Sequence, residues 1–545
     1  MSYDPPRVAY FCMEYGLSET FPIYSGGLGV LAGDFMRSCK ALDLPVVGVG
    51  LVWADGYTTQ ALSSKGFPED HPTPLDRSVL IPEKPVVSVN VAGREVHLNI
   101  FRVEAFDNAT LYLLEPVEAR DRWITKRLYG GGKDDRVAQE ILLGIGGVRA
   151  LRALGVGVDV YHFNEGHALF AGLELLSEKR AQGFSFERAW ETVRPHIVFT
   201  THTPVDAGNE VHEIEHLQRM GATLNFKESE LVRLGGDPFN MTAAALRLST
   251  RANAVAELHG ETARHMWRGV NDGAPINAIT NGVDHRVWQD RNIANAFVTA
   301  DDPAMLSAHD ACKCALLSEI ETRTSAILNP DLLLIGFARR ATAYKRATLF
   351  FHDRLRAEAL LDRGAQIVFA GKSHPKDSGG RELVHQLAEL ERIYPGQVVF
   401  IPNYDLHLGR LLTRGCDIWL NTPRRPLEAC GTSGMKAAMN GVLNVSILDG
   451  WWPEGCEHGQ NGWKIEAPGS DAYPSNKEGD EADARALYEL LENEVLPAFA
   501  DRPRWAKMMR GSIEMSRRFT SDRMVRDYFA SLYTESSQKL AASAR

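Results

Sequence analysis

Apolar positions along this chain come mostly in short unbroken runs. Val8–Glu14, Pro45–Trp53, Val158–Phe163 and His196–Thr200 lie in the first half; Leu332–Phe337, Gln366–Ala370, Val398–Ile401, Asp417–Leu420 and Val442–Leu448 lie in the second. Each has the length of a buried strand. Stretches at helical spacing separate them, as in Arg136–Leu154, read as a core helix. Strand and helix in turn imply an α/β fold with a parallel sheet. One region differs: Val87-Ser-Val-Asn-Val91 and Val96-His-Leu-Asn-Ile100 alternate about a turn at Ala92-Gly93. Residues 86–116 therefore read as an antiparallel flap on the first domain. Phe67–Pro85 and Pro468–Asp483 read as loops, and the remainder after them as helical. The break at Asn329-Pro330-Asp331 divides the chain into an N-terminal α/β domain, 1–328, a C-terminal α/β domain, 329–510, and closing helices, 511–545. No internal sequence repeat is found.

Bulk properties narrow the class. A chain of 545 residues exceeds one core. A net charge of −10 without a basic block argues against nucleic acid or an anionic membrane as partner. No apolar run reaches the roughly 18 residues of a membrane span, and the start lacks a signal-peptide layout. Seven scattered cysteines fit free thiols in a reducing cytoplasm.

In parallel α/β sheets ligands bind beyond the carboxyl ends of strands, and candidate chemistry clusters there. Ser25-Gly26-Gly27-Leu28-Gly29 follows the first strand and opens a helix, the geometry of a phosphate cradle. The spacing misses the dinucleotide fingerprint. Asn164-Glu165-Gly166-His167 and Thr201-His202-Thr203-Pro204 end two further strands; each histidine has an ordinary alternative as a hydrogen-bonded loop residue. Arg339-Arg340-Ala-Thr-Ala-Tyr344-Lys345-Arg346 reads as a solvated turn or as a dianion site. Glu428-Ala-Cys430-Gly431-Thr432-Ser433-Gly434-Met-Lys436 leads into a short helix, Met435–Asn440, with Lys436 in its first turn. A cation there opposes the helix dipole, so the choice lies between a solvated lysine and one beside an anion with a depressed pKa. A competing pattern, His212-Glu213-Ile214-Glu215-His216, fits the two-histidine zinc helix of a peptidase, with Glu228 or Glu230 as third ligand.

The Glu428–Lys436 segment, followed by Asn440-Gly441 and Leu448-Asp449-Gly450, closely resembles the cofactor segment of the α-glucan phosphorylases in their shorter bacterial form. The likeness runs in order from about residue 8 to 460. It implies two doubly wound Rossmann-like domains facing across a cleft, the GT-B architecture of glycosyltransferases, with Met524–Leu532 crossing back to the first domain. It implies pyridoxal 5'-phosphate as a Schiff base on Lys436, with Gly26, Gly27, Arg339, Thr432, Ser433 and Tyr404 around it. Arg340 and Lys345 would hold the substrate phosphate, and His202 would touch the sugar. Gly27, Leu28, Asn281, Glu428, Cys430 and Gly431 would line the substrate site, and no metal is implied. Two departures stand out: Cys430 replaces the commoner serine, a weaker donor in its place, and Asp405 replaces an arginine.

The implied reaction is retaining phosphorolysis of an α-1,4-glucan or maltodextrin by inorganic phosphate, giving glucose 1-phosphate, with the cofactor phosphate as proton partner. Two phosphates about 5 Å apart at an effective dielectric of about 20 repel by roughly 3 kcal/mol per charge pair. The glycine-loop amides, the helix start and the Arg339, Arg340 and Lys345 cations would offset this. A sugar-nucleotide glucosyltransferase of the same architecture, a zinc peptidase at His212/His216 and a glucan-binding relative without turnover are the alternatives. A homo-oligomer is left open. The long insertions of the larger animal enzymes are absent, so control by phosphorylation is not expected.

Overall fold

The computed structural model describes residues 4–205, 208–467 and 477–533. They form two compact units. The first comprises 4–58, 72–205, 208–281 and 521–533; the second comprises 59–71, 282–467 and 477–520.

The apolar runs of the first unit become the middle of a nine-stranded sheet. Its order is Ile276–Ala278, Arg251–Ala254, Ile197–Thr200, Val160–Asn164, Val8–Phe11, Val46–Leu51, Leu111–Pro116, Arg94–Val103 and Ile81–Val91. The first seven run parallel. The expected flap is not a separate appendage. It begins at Ile81, and its last strand pairs parallel with Val46–Leu51, so the flap is the antiparallel edge of the main sheet. Its turn residues Ala92 and Gly93 both have positive φ, as a tight hairpin requires. The core helix is Lys133–Ile141 continued through a π-helical turn, Leu142–Gly146, into Gly147–Ala153. Met524, Val525, Tyr528, Phe529, Leu532 and Tyr533 are buried in this unit's core.

The second unit holds a six-stranded parallel sheet, ordered Val398–Ile401, Ala365–Ala370, Leu333–Ala338, Ile418–Asn421, Leu443–Ile447 and Gly462–Ile465. Alternate residues of one strand enter different cores: Leu333, Ile335 and Phe337 pack on one face, Leu334 and Ala338 on the other. Burial on both faces is why these strands read as unbroken apolar runs.

Three expectations change. The unit boundary falls at Gly282, not near 328. The reason is helix Asp302–Thr324, whose buried Lys313 bonds Asp417 at 2.7 Å while His309 reaches the same carboxylate at 3.2 Å. Within the supposed loop 67–85, Pro68–His71 pairs with Thr59–Leu62. That hairpin belongs to the second unit, where Gln60 donates to Asp70 and Arg381 pairs with the same aspartate. Of the supposed loop 468–483, residues 468–476 lie outside the described residues, and helix Lys477–Leu490 supplies the rest.

Candidate functional site

Both sheets reverse their strand order at one pair of neighbours, and polar side chains collect at the carboxyl ends of those pairs. In the first unit the pair is Val8–Phe11 and Val160–Asn164. Just past the first strand, buried Glu14 accepts from the backbone N–H of Ser25 at 2.6 Å and of Gly26 at 3.1 Å. Its other oxygen accepts from the Tyr129 hydroxyl at 2.8 Å. The glycine loop is thus folded around a carboxylate of the chain itself. Gly29 is obligatory there, because a Cβ would stand 2.6 Å from Glu14 Oε2. The space beside Gly26 and Gly27 is open, and the first-turn amides of helix Gly27–Ala41 lack intrahelical partners as in any helix. Leu28 packs on the core.

Past the second strand, Glu165 is held at φ 73°, a costly conformation for a non-glycine residue. Its carboxylate accepts from the His202 N–H and from the Thr203 hydroxyl at 2.9 Å. The His202 ring lies 2.7 Å from Asn164 Oδ1 through Nε2. Burial, with His259 and His167 nearby, pushes the His202 pKa down to about 3, so the ring is neutral at physiological pH. Asn281 is buried; Arg523 donates to its carbonyl at 2.9 Å, and its side-chain oxygen has no hydrogen-bond partner among the described residues.

In the second unit the pair is Leu333–Ala338 and Ile418–Asn421. Arg339, directly after the first strand, donates to Asn421 Oδ1 at the end of the second and meets Glu428 at 2.6 Å. Lys345 reaches both Glu428 oxygens, at 3.1 and 3.0 Å. The two cations hold the buried Glu428 carboxyl below its usual range in spite of desolvation. Arg340 is exposed. Asp449 accepts from the Glu428 and Gly450 N–H groups, both at 2.9 Å, yet burial and the Glu428 charge raise its pKa to about 7.

Arg346 has a separate job. It donates to the carbonyls of Thr422 and Pro423 at 2.8 and 2.9 Å and pairs with Asp480 and Asp483 at 2.9 and 2.7 Å. It thereby pins the loop that carries Glu428 to helix Lys477–Leu490. Arg346→Ala is expected to lower stability by about 3 kcal/mol, because carboxylates and carbonyls lose their buried partner. Urea unfolding of the variant measures this.

Gly431 takes φ +86°, and the helix begins immediately, as Thr432–Ala438. Lys436 therefore stands in the last turn, not the first as expected from Met435–Asn440. There its charge agrees with the helix dipole. The lysine is 7% exposed, and its Nζ lies 3.6 Å from the centroid of the Trp288 ring. Asn440 fixes that ring's backbone: it donates to the carbonyls of Trp288 and Lys436 at 3.0 and 2.9 Å and accepts from the Asp290 N–H at 2.7 Å. At the helix start Ser433 Oγ accepts from the Trp419 indole at 3.2 Å. Tyr404 is enclosed, its phenol raised by burial; Cys430 is buried, with its carbonyl accepting from Trp451 N–H. Asp405 caps helix Leu406–Gly415 through the Leu408 N–H and faces Arg323 at 3.3 Å.

The zinc helix does not form. His212 lies in strand Val211–His212, whereas His216 lies in helix Ile214–Met220 and bonds Asp134 at 2.7 Å. Glu14, Tyr129, Trp288 and Asn421 join the two strand-end clusters without having been singled out from sequence, and Asp449, quoted there only within Leu448-Asp449-Gly450, joins them as well. The signal available for Glu14, Asn421 and Asp449 was their place at or just past the end of a strand; Tyr129 and Trp288 offered none.

A family model described as carbohydrate phosphorylase matches residues 292–454. The chain is 38% identical to a maltodextrin phosphorylase of Thermococcus litoralis, over 97% of its own length and 70% of the relative's. Identity is also 38% to a glycogen phosphorylase of Mycobacterium tuberculosis, over 99% and 72%, and 33% to one of Aquifex aeolicus, over 98% and 87%. With these relatives matched along nearly the whole chain, the chain belongs to the carbohydrate phosphorylase family.

Proposed function

We propose that this chain is an α-1,4-glucan phosphorylase that transfers the terminal glucosyl unit of a glucan or maltodextrin to inorganic phosphate, with retention, giving glucose 1-phosphate. The observation that carries the reading is the convergence of Arg339 and Lys345 on Glu428 at the order reversal of the second sheet, beside the loop that opens the Lys436 helix. The names of the relatives, maltodextrin and glycogen phosphorylase, support it.

The residues present fit pyridoxal 5'-phosphate. Lys436 offers a buried primary amine over an aromatic ring, and Gly431 leaves room for close approach to the amides of Thr432 and Ser433. Lys436 would anchor the group, with Arg339, Thr432, Ser433 and Tyr404 around it. When bound, it supplies a phosphate that exchanges a proton with the substrate phosphate. Arg339, Arg340 and Lys345 neutralise the crowded anions. Glu428, with both oxygens already on cations, offers its remaining lone pairs to sugar hydroxyls. The open amides of Gly27 and Leu28 would offer donors to an anion. His202, fixed neutral, meets the sugar as a hydrogen-bonding group without adding charge, and the unpartnered Asn281 oxygen accepts a sugar hydroxyl. All seven cysteines are free, which supports a cytoplasmic setting.

The test is release of glucose 1-phosphate from maltodextrins of graded length by the cofactor-loaded protein. Release that requires phosphate is expected. No release at any length overturns the proposal.

A further inference from the structure

A cluster of buried polar groups in the first unit is left over by this chemistry. Helix Lys133–Ile141 presents Arg136 and Glu140 one turn apart, and Glu140 is fully buried. Across from it comes Glu210, fixed by its carbonyl accepting the Met241 N–H at 3.0 Å, and then His212, fixed by pairing of its strand with Phe239–Asn240. Arg136 donates to Glu210 Oε1 through Nε at 2.7 Å. The Arg136 Nε also stands 3.3 Å from Glu140 Oε1 as an ion pair, yet among the described residues both oxygens of Glu140, Oε2 of Glu210 and both ring nitrogens of His212 are buried with no hydrogen-bond partner. Orphaned buried carboxylate and imidazole atoms cost several kcal/mol together and call for a proton, a water or an ion.

The geometry favours an ion. One ligand atom each from Glu140, Glu210 and His212 lies within 4.8 Å of the others. His212 Nε2 and the free Glu210 Oε2 are 3.6 Å apart. Two ligands about 2.1 Å from a tetrahedral centre stand about 3.4 Å apart. The second Glu210 oxygen is already oriented by Arg136, the arrangement by which outer partners fix a metal-binding carboxylate. As metal ligands both carboxylates are ionised, and Arg136 offsets only one of them, so a divalent cation meets net attraction.

We propose that Glu140, Glu210 and His212 bind one divalent first-row transition-metal ion of the Zn²⁺ class, with water completing the shell. The imidazole argues against Mg²⁺ or Ca²⁺, which take oxygen ligands. The ion fastens the 208–212 segment to helix Lys133–Ile141. It thereby supports Arg136, whose guanidinium lies 4.9 Å from the Tyr129 ring centroid, and through Tyr129 the Glu14 carboxylate inside the glycine loop. This is a site of different composition from the His212/His216 pair.

The experiment uses the full chain, stripped by chelator and titrated with Co²⁺ alone and then Zn²⁺ alone. One equivalent of Co²⁺ is expected, with visible d–d bands of a low-coordinate N/O site that Zn²⁺ abolishes, and a higher Tm with Zn²⁺. Glu140→Gln and His212→Gln should each weaken binding by at least about 100-fold, whereas His216→Gln should leave it unchanged. Absence of stoichiometric binding or of the d–d bands in the wild type overturns the proposal whether or not the variants fold. So does binding that survives Glu140→Gln or His212→Gln, or that is lost in His216→Gln.

Discussion

Lys436→Arg is expected to leave a folded protein that releases glucose 1-phosphate at least about 10³-fold more slowly than the wild type. Arginine keeps the charge over Trp288 and the agreement with the helix dipole, so neither the helix nor Tm should change much. What it lacks is an amine that forms an imine. Losing a proton partner alone removes about 10² to 10⁴ in rate, and losing the neighbouring phosphate removes a contact for the substrate as well. Intact mass after borohydride reduction separates the cases: a pyridoxyl phosphate adduct in the wild type, none in the variant. An unmodified wild type that transfers glucose from a sugar nucleotide would replace this reading with a glucosyltransferase. An active Lys436→Arg protein would end the assignment of that lysine.

Acid is expected to unfold the first unit before the second. His162, His167 and His202 are held at about 3 by burial, and His259 at about 4. In the unfolded chain a histidine titrates near 6.5. The folded pKa is the lower one, so the stability these rings contribute is complete above pH 6.5 and is lost progressively as pH falls through about 4 for His259 and about 3 for the others. At pH 5 each takes up to about 2 kcal/mol from the folded state. Glu165, whose carboxyl burial holds above its usual range, responds with the opposite sign and offsets part of this. The second unit responds with opposite sign at Asp449. There the charged carboxyl is the costly form, so stability is gained as pH falls below about 7, until the unfolded aspartate protonates near 4. Hydrogen exchange at pH 7, 6 and 5 checks this: protection of strand Val160–Asn164 should fall by several kcal/mol while that of Leu443–Ile447 holds. A flat profile for the first strand refutes it.

The strands were legible because burial on both faces leaves an unbroken apolar run, and the strand-end motifs were legible because parallel sheets collect chemistry at one edge. The hairpin Thr59–Leu62/Pro68–His71 was not. Its residues have little strand propensity, and partners such as Ser373 and Arg381, more than 300 positions away, hold it. The boundary was misplaced because a proline break marks the start of a strand and not where packing changes. Helix Asp302–Thr324 is charged and weakly patterned, yet buries Lys313 and His309 against Asp417. The start of the Lys436 helix moved because Gly431 sets the turn by backbone conformation alone. Glu14 inside the glycine loop follows from no motif; a loop of small residues reads the same whether a phosphate or a carboxylate fills it.

Ser521–Tyr533 completes the core of a unit whose other segments end at Asn281. Tyr533 bonds His162 at 2.7 Å, and Ser521 bonds Ser38 at 2.6 Å. On the ribosome the closing residues emerge some 240 positions after the rest, roughly tens of seconds later at ordinary elongation rates. Throughout that interval the nascent sheet exposes the apolar floor meant for Tyr528, Phe529 and Leu532, the surface most open to misassociation during synthesis.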